Sequence, residues 1–177
     1  GTQFVPRNAH IAYRGKPFEG IFAMLVRWTD RKIAVGVSSK HTRTPAFAVV
    51  DHVFGRNRGS TSDKFFTSDA PASWVNFKLP VAVRPTHYVL ANNHHTNFLR
   101  SWSLQGSNDG STWRSLMVHR NDRTLSSSNP VGVFTLPQPQ PSEYSFYWFR
   151  ILMEGPCEAN SNYLGISGFE LFGSARL

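Results

Sequence analysis

Cysteine is almost absent from this chain. Cys157 is the single one, so no internal disulfide can form, and we expect a reducing, intracellular setting, cytoplasmic or nuclear, because secreted β-sandwiches commonly carry a bridge. Cys157 itself sits in Gly155-Pro156-Cys157-Glu158 with neither a neighbouring cation nor a recognisable His and Asn context, which argues against a thiol nucleophile. Long apolar runs are missing as well. The longest, Ile21 to Val26, is far too short to cross a bilayer, and the N-terminal stretch lacks a basic start, apolar centre and small-residue cleavage site. Acidic residues are few: 11 Asp and Glu face 19 Lys and Arg, a formal net charge of +8. The basic residues are scattered, with no run of five or more like charges. They read either as dispersed solubilising charge or as a functional face for an acidic partner such as nucleic acid. Catalytic motifs are absent too. There is no Gly-x-Ser-x-Gly elbow, phosphate-binding Gly-rich loop, HExxH or Cys-x-x-Cys pair, and the separated carboxylates offer no ready acid and base, so no enzyme is expected.

What is present is apolar and aromatic. Hydrophobic residues make up 40% of the 177-residue chain and aromatics 14%, with only 17% charged, a composition that folds rather than stays disordered. The length suits one domain, 1–177, and the start at Gly1-Thr2 without Met suggests a piece of a larger protein.

Helical periodicity is scarce, whereas short runs of Val, Ile, Phe, Tyr and Trp recur between turn residues. Ile33, Val35 and Val37 alternate with small residues, and Val75, Phe77 and Leu79 alternate with Trp74, Asn76 and Lys78, which sends Lys78 to solvent. Asp109-Gly110 lies between Trp102–Ser107 and Thr112–Val118 and supplies the turn chemistry of a hairpin. Tyr144 to Met153 reads as a central strand buried on both faces, and Ser167-Gly168 interrupts the last strand as a bulge would. The prolines at 130, 137, 139 and 141 flank a short strand, Val131 to Leu136. Many short strands with frequent turns point to an all-β, antiparallel β-sandwich or barrel.

The segments Leu99 to Trp113, Trp148-Phe149-Arg150-Ile151 and Tyr163 to Gly173, with Val50-Asp51 and Phe65 to Phe77 upstream, resemble the discoidin-like domains related to the C-type domains of coagulation factors. The resemblance covers about 33–173 and implies a jelly roll of the galactose-binding-domain-like kind. It is nearest to the variant found in intracellular proteins beside ubiquitin-ligase or BTB-type modules. That implies a non-catalytic module for protein–protein interaction, with carbohydrate binding as the alternative and nucleic-acid binding as a further one. The first thirty residues are expected as an extension packed on the sandwich, with Gly20 to Trp28 as an extra strand.

Residue by residue, the expected ligand surface is Asn92, Asn93, His94, His95, Asn97 and Phe98, with Arg100 at the start of the next strand. Amides and imidazoles offer donors and acceptors to a hydroxyl-rich or peptide ligand, and Phe98 would add an apolar platform. Arg100 would either touch ligand or hydrogen-bond loop carbonyls. Trp74, Trp102 and Trp113 are expected in the core. His87, His94 and His95 read as polar loop histidines rather than metal ligands. Some relatives carry structural calcium, and Asp51 and Glu170 stand where those carboxylates would; the other reading pairs Glu170 with Arg150.

Overall fold

A computed structural model describes residues 8–28, 33–41, 65–92, 96–138, 141 and 144–176. In chain order these form β1 (Asn8–Ile11), α1 (Ile21–Trp28), β2 (Ala34–Val37), β3 (Phe65–Phe66), β4 (Trp74–Asn92), β5 (Trp102–Ser107), β6 (Arg114–His119), β7 (Val131–Thr135), β8 (Phe146–Met153) and β9 (Gly165–Arg176). Among the described residues every strand pairing is antiparallel.

The long strand β4 organises the sandwich. Its first part, Trp74 to Lys78, pairs with β2 on one side and β8 on the other. The register then shifts between Lys78 and Val83, and the second part, Ala82 to Asn92, pairs with β9 and β7. The strand thus turns a corner at Leu79-Pro80-Val81 and serves both layers. The first layer runs β2-β4-β8-β5-β6; the second runs β7-β4-β9, with β1 and β3 on β9. Between them Phe77 of one layer stacks on Phe169 of the other at 4.5 Å. Phe22 meets both rings, and all three are fully buried, each such side chain contributing about 1.5–3 kcal/mol.

Several expectations hold. Val75, Phe77 and Leu79 point inward while Lys78 is exposed. The hairpin joins β5 to β6 with Gly110 at φ 76°. Ser167 is the extra residue of a bulge, since Ala91 faces Gly168 while Asn92 faces Ile166.

Three others are corrected. Residues Ile21–Trp28 form a helix, not a strand. An apolar run of this length carries no decisive period, and what settles it is a helix N-terminal partner from far along the chain, described below. Strand β8 is central, but its outward side is only half-covered and Tyr147 is 43% exposed. Trp102 is in the core, whereas Trp74 and Trp113 are half-buried on the outer face of the first layer. Among the described residues no helix is long and apolar enough to cross a membrane.

Candidate functional site

The segments 38–41, 66–73, 96–101, 119–130 and 154–164 gather at one end of the sandwich, where the sequence placed the ligand surface. A web of hydrogen bonds ties them together. Asn92, at the end of β4, is fully buried; its Oδ1 accepts from the Leu99 N–H at 3.1 Å and its Nδ2 donates to the Asn97 carbonyl at 3.3 Å. Asn97 adopts φ 63°, a left-handed conformation that Asn tolerates better than most residues. Its Oδ1 accepts from Ser161 Oγ at 3.0 Å and Cys157 Sγ at 3.4 Å. Arg100 Nη1 donates to the carbonyls of Leu99 and Leu125 at 3.0 and 2.7 Å, and Nη2 lies 3.7 Å from Glu158. The Glu158 N–H donates to the Phe98 carbonyl at 2.9 Å, and that of Asp122 to the Arg100 carbonyl at 2.7 Å.

Of the expected ligand residues, Asn92, Asn97 and Arg100 therefore build the frame of the loops. Phe98 is 2% exposed and packed in the core, so it is no platform; its neighbours Leu99 and Trp102 bury with it. Asn93, His94 and His95 lie outside the described residues, as does Asp51. Cys157 is buried, with its sulfur among Asn97 and Ser161. His87 sits on β4 beside Tyr13, with Thr86 Oγ1 2.9 Å from its Nδ1.

Glu170 has a different occupation from either expectation. It is fully buried on β9. Its Oε1 accepts from the N–H groups of Phe22 and Leu171 at 2.7 and 2.8 Å, and its Oε2 from those of Gly20 and Ala23 at 3.0 and 3.1 Å. The carboxylate thus caps the start of α1, where backbone donors are otherwise unsatisfied and the helix dipole favours negative charge. Burial pushes its pKa up to about 7, while the donors from Leu171, Phe22, Ala23 and Gly20 draw it back. With two donors on each oxygen, this arrangement does not fit a cation. Nor does Glu170 pair with Arg150, whose Nε donates to Gln105 Oε1 at 2.7 Å. Gly20 completes the joint, because a Cβ there would lie 2.3 Å from the Leu171 carbonyl oxygen. Among the described residues no group of three or more His, Cys, Asp or Glu is placed to hold a metal ion.

Sequence reasoning missed a second buried polar assembly. Trp102 Nε1–H donates to Tyr88 Oη at 3.0 Å, the Tyr88 hydroxyl lies 2.6 Å from His119 Nε2, and His119 Nδ1 lies 2.8 Å from Asp122 Oδ2. A carboxylate can only accept, so the imidazole carries its proton on Nδ1 and accepts from Tyr88 on Nε2. The ring also stacks on Trp102 at 4.1 Å. Burial lowers the His119 pKa against the opposing pull of Asp122. The order carboxylate, imidazole, hydroxyl is that of a nucleophile relay. Here the hydroxyl is fully buried and already accepts from an indole, so no substrate atom can reach it. The assembly satisfies polar groups inside the core. No spacing rule links positions 88, 102, 119 and 122, which come together only through strand register.

No family model matches the chain. It is 30% identical over 142 residues, 78% of its length, to the E3 ubiquitin-protein ligase Ufd4 of Drosophila melanogaster. It is 30% identical over 151 residues, 82% of its length, to the E3 ubiquitin-protein ligase hecd-1 of Caenorhabditis elegans. The chain spans only 5% and 6% of the length of these relatives. Among solved structures it is similar to CpGH89CBM32-5 from Clostridium perfringens, bound to GalNAc-β-1,3-galactose, with TM-score 0.60 and 8% identity over 79% of this chain and 94% of that one. It is likewise similar to CBM32-1 from a family 31 glycoside hydrolase of the same organism, with TM-score 0.60 and 14% identity over 89% and 99% of the two chains. The chain has the fold of these modules, an all-β, galactose-binding-like jelly roll.

Proposed function

We propose that this domain is a non-catalytic recognition module that takes a carbohydrate at the loop end of the sandwich. The observation that carries the reading is the rigid frame there. Asn92, Asn97 and Arg100 lock loops from four parts of the chain to one another, which limits the ordering a ligand must impose on binding. The one relay-like cluster among the described residues is sealed in the core. The fold supports the ligand class, since the jelly rolls it resembles are described in complexes with GalNAc-β-1,3-galactose, galactose and an unsaturated mannuronic acid. Asn93, His94 and His95 would supply the contacts, with Arg100 as a positioning residue. Titration with galactose, GalNAc-β-1,3-galactose and short uronates at millimolar concentration tests this. Binding that is lost in His94→Ala and His95→Ala, with thermal stability unchanged, is expected; no binding to any of them would refute it.

A second reading is favoured by the likeness in sequence. The 30% identity to two ubiquitin ligases is higher than that to the carbohydrate-binding modules above, and it supports a protein-interaction module within an intracellular ligase or adaptor. A protein ligand captured by the wild-type domain and released by the same His94 and His95 substitutions, with glycans inert, would establish this reading instead. The +8 charge supports nucleic acid only if oligonucleotide binding falls steeply with salt.

A further inference from the structure

The outer face of the first layer carries a group of side chains that the loop end does not use. Strand register sets Arg150 of β8 between Asn76 of β4 and Gln105 of β5, with Trp148 one row away between Lys78 and Ser107. The Arg150 guanidinium carbon lies 4.1 Å from the centre of the Trp113 ring, and its Nε donates to Gln105 Oε1 at 2.7 Å. Trp113 in turn meets Trp148 edge to face at 6.5 Å, and Lys78 Nζ lies 5.4 Å from the Trp148 ring. The hairpin turn backs Trp148, since a Cβ on Gly110 would lie 3.0 Å from its ring.

A guanidinium stacked on an indole and held through Nε has lost its freedom to rotate, and its two terminal amino groups remain as a flat fork. Among the described residues neither donates to a protein acceptor. Glu154, whose charge acts on Arg150, accepts from Ser103 Oγ at 2.8 Å. Around the fork, Trp74, Leu152 and Trp148 are half-buried and Val118 is 46% exposed. Of the other polar groups of the face, Gln105 Oε1 is engaged by Arg150, Ser103 by Glu154, and Ser107 by Asp109 and Gly110, which leaves the Asn76 amide beside Arg150.

We infer that this sheet face docks an acidic peptide, with Arg150 taking one carboxylate in bidentate fashion between Trp113 and Trp148, and Lys78 attracting a second. Charge complementarity names the carboxylate, in a chain of net charge +8. The rest of the face selects peptide over acidic sugar. A glycan presents many hydroxyls that need partners, and few remain unengaged here, whereas Trp and Arg in an apolar surround are what dominate protein interfaces. This inference does not depend on the loop-end reading and fails or stands separately from it.

The test is NMR of the whole domain, following the Arg150 Nε–H and the indole N–H groups of Trp113 and Trp148. The probes are acetyl-Glu-Leu-Glu-amide, its Gln-Leu-Gln counterpart and digalacturonate, each titrated to millimolar concentration. The glutamate peptide should shift all three signals and the glutamine peptide none. Arg150→Lys keeps the charge but not the fork and should weaken binding about tenfold; Lys78→Gln should weaken it less. Melting curves show whether each variant is folded. No shift with the glutamate peptide, equal shifts with both peptides, undiminished binding in folded Arg150→Lys, or a response to digalacturonate alone would each overturn the inference.

Discussion

Replacing Tyr88 with Phe removes one oxygen from the core and keeps the ring that stacks on Phe134 at 5.0 Å. That oxygen links Trp102 to His119. Without it the Trp102 Nε1–H, on a fully buried side chain, faces no acceptor, a loss of about 1–3 kcal/mol. His119 Nε2 loses its donor as well, for about 1 kcal/mol more. No charge changes and almost no volume is lost, so the two losses should add to about 2–4 kcal/mol. For a domain of this length that lowers the melting temperature by roughly 4–16 °C. Urea denaturation followed by tryptophan fluorescence, at a pH where His119 is neutral, measures the difference directly. A loss below about 0.5 kcal/mol, the level of an ordinary surface change, would show that Tyr88 does not satisfy the two groups and would refute the account of the network.

The same network fixes a pH response. The His119 and Asp122 pKa values are both lowered in the fold, the first by burial and the second by hydrogen bonds from Thr124 and His119 that outweigh its own burial. The unfolded chain therefore takes up protons before the folded one does. The network's contribution to stability should be fully present above the unfolded histidine value of about 6.5 and fall as acid titrates first His119, then Asp122, while the raised pKa of Glu170 gives the opposite slope; His119→Gln should remove the first acid-side loss in urea midpoints measured across pH. Glu170→Ala strands three backbone N–H donors at the start of α1 and that of Leu171 on β9 and should cost about 3–6 kcal/mol. It should also speed amide exchange at Phe22 and Ala23 before it affects β5. Gly173→Ala places a Cβ 2.2 Å from the Arg84 carbonyl oxygen at a φ of 141°, and because the obstacle is backbone it should leave little folded protein in a solubility assay. Arg100→Lys cannot hold the Leu99 and Leu125 carbonyls and Glu158 together and should loosen the 96–101 and 154–164 segments, read as faster amide exchange there.

The sandwich was legible because alternation and turn chemistry are local. Asp109-Gly110 specifies its hairpin within a few residues, and the parity of Val75, Phe77 and Leu79 gives the buried side of β4 without knowledge of its partners. The helix at Ile21–Trp28 was not legible, since its start is completed by Glu170, far along the chain. Burial of Phe98 and Asn92 was equally hidden. A polar-looking stretch that ends in an aromatic reads as a ligand loop, but here β4 runs on to Asn92 and the chain folds Phe98 back under it. Half-exposure of Trp113 and Trp148 was hidden for the opposite reason. Strand-like aromatics are usually core residues, and only the register that puts Arg150 and Lys78 beside them shows that they face outward.

Glu170 shows how a buried carboxylate can be satisfied by the backbone of its own chain. A carboxylate near the last strand could meet either a bound cation or a row of N–H donors, and both remedies offset the desolvation of its charge. In this chain the remedy is covalently attached. Gly20 admits the close approach to β9, and the first turn of α1 delivers the Gly20, Phe22 and Ala23 donors to the two oxygens. The helix then seats Phe22 against Phe77 and Phe169 in the middle of the core. Removing a soluble divalent cation should therefore leave α1 in place, whereas Glu170→Ala should not. Unchanged amide protection at Phe22 and Ala23 in that variant would show that packing alone holds the helix, with the carboxylate a passenger.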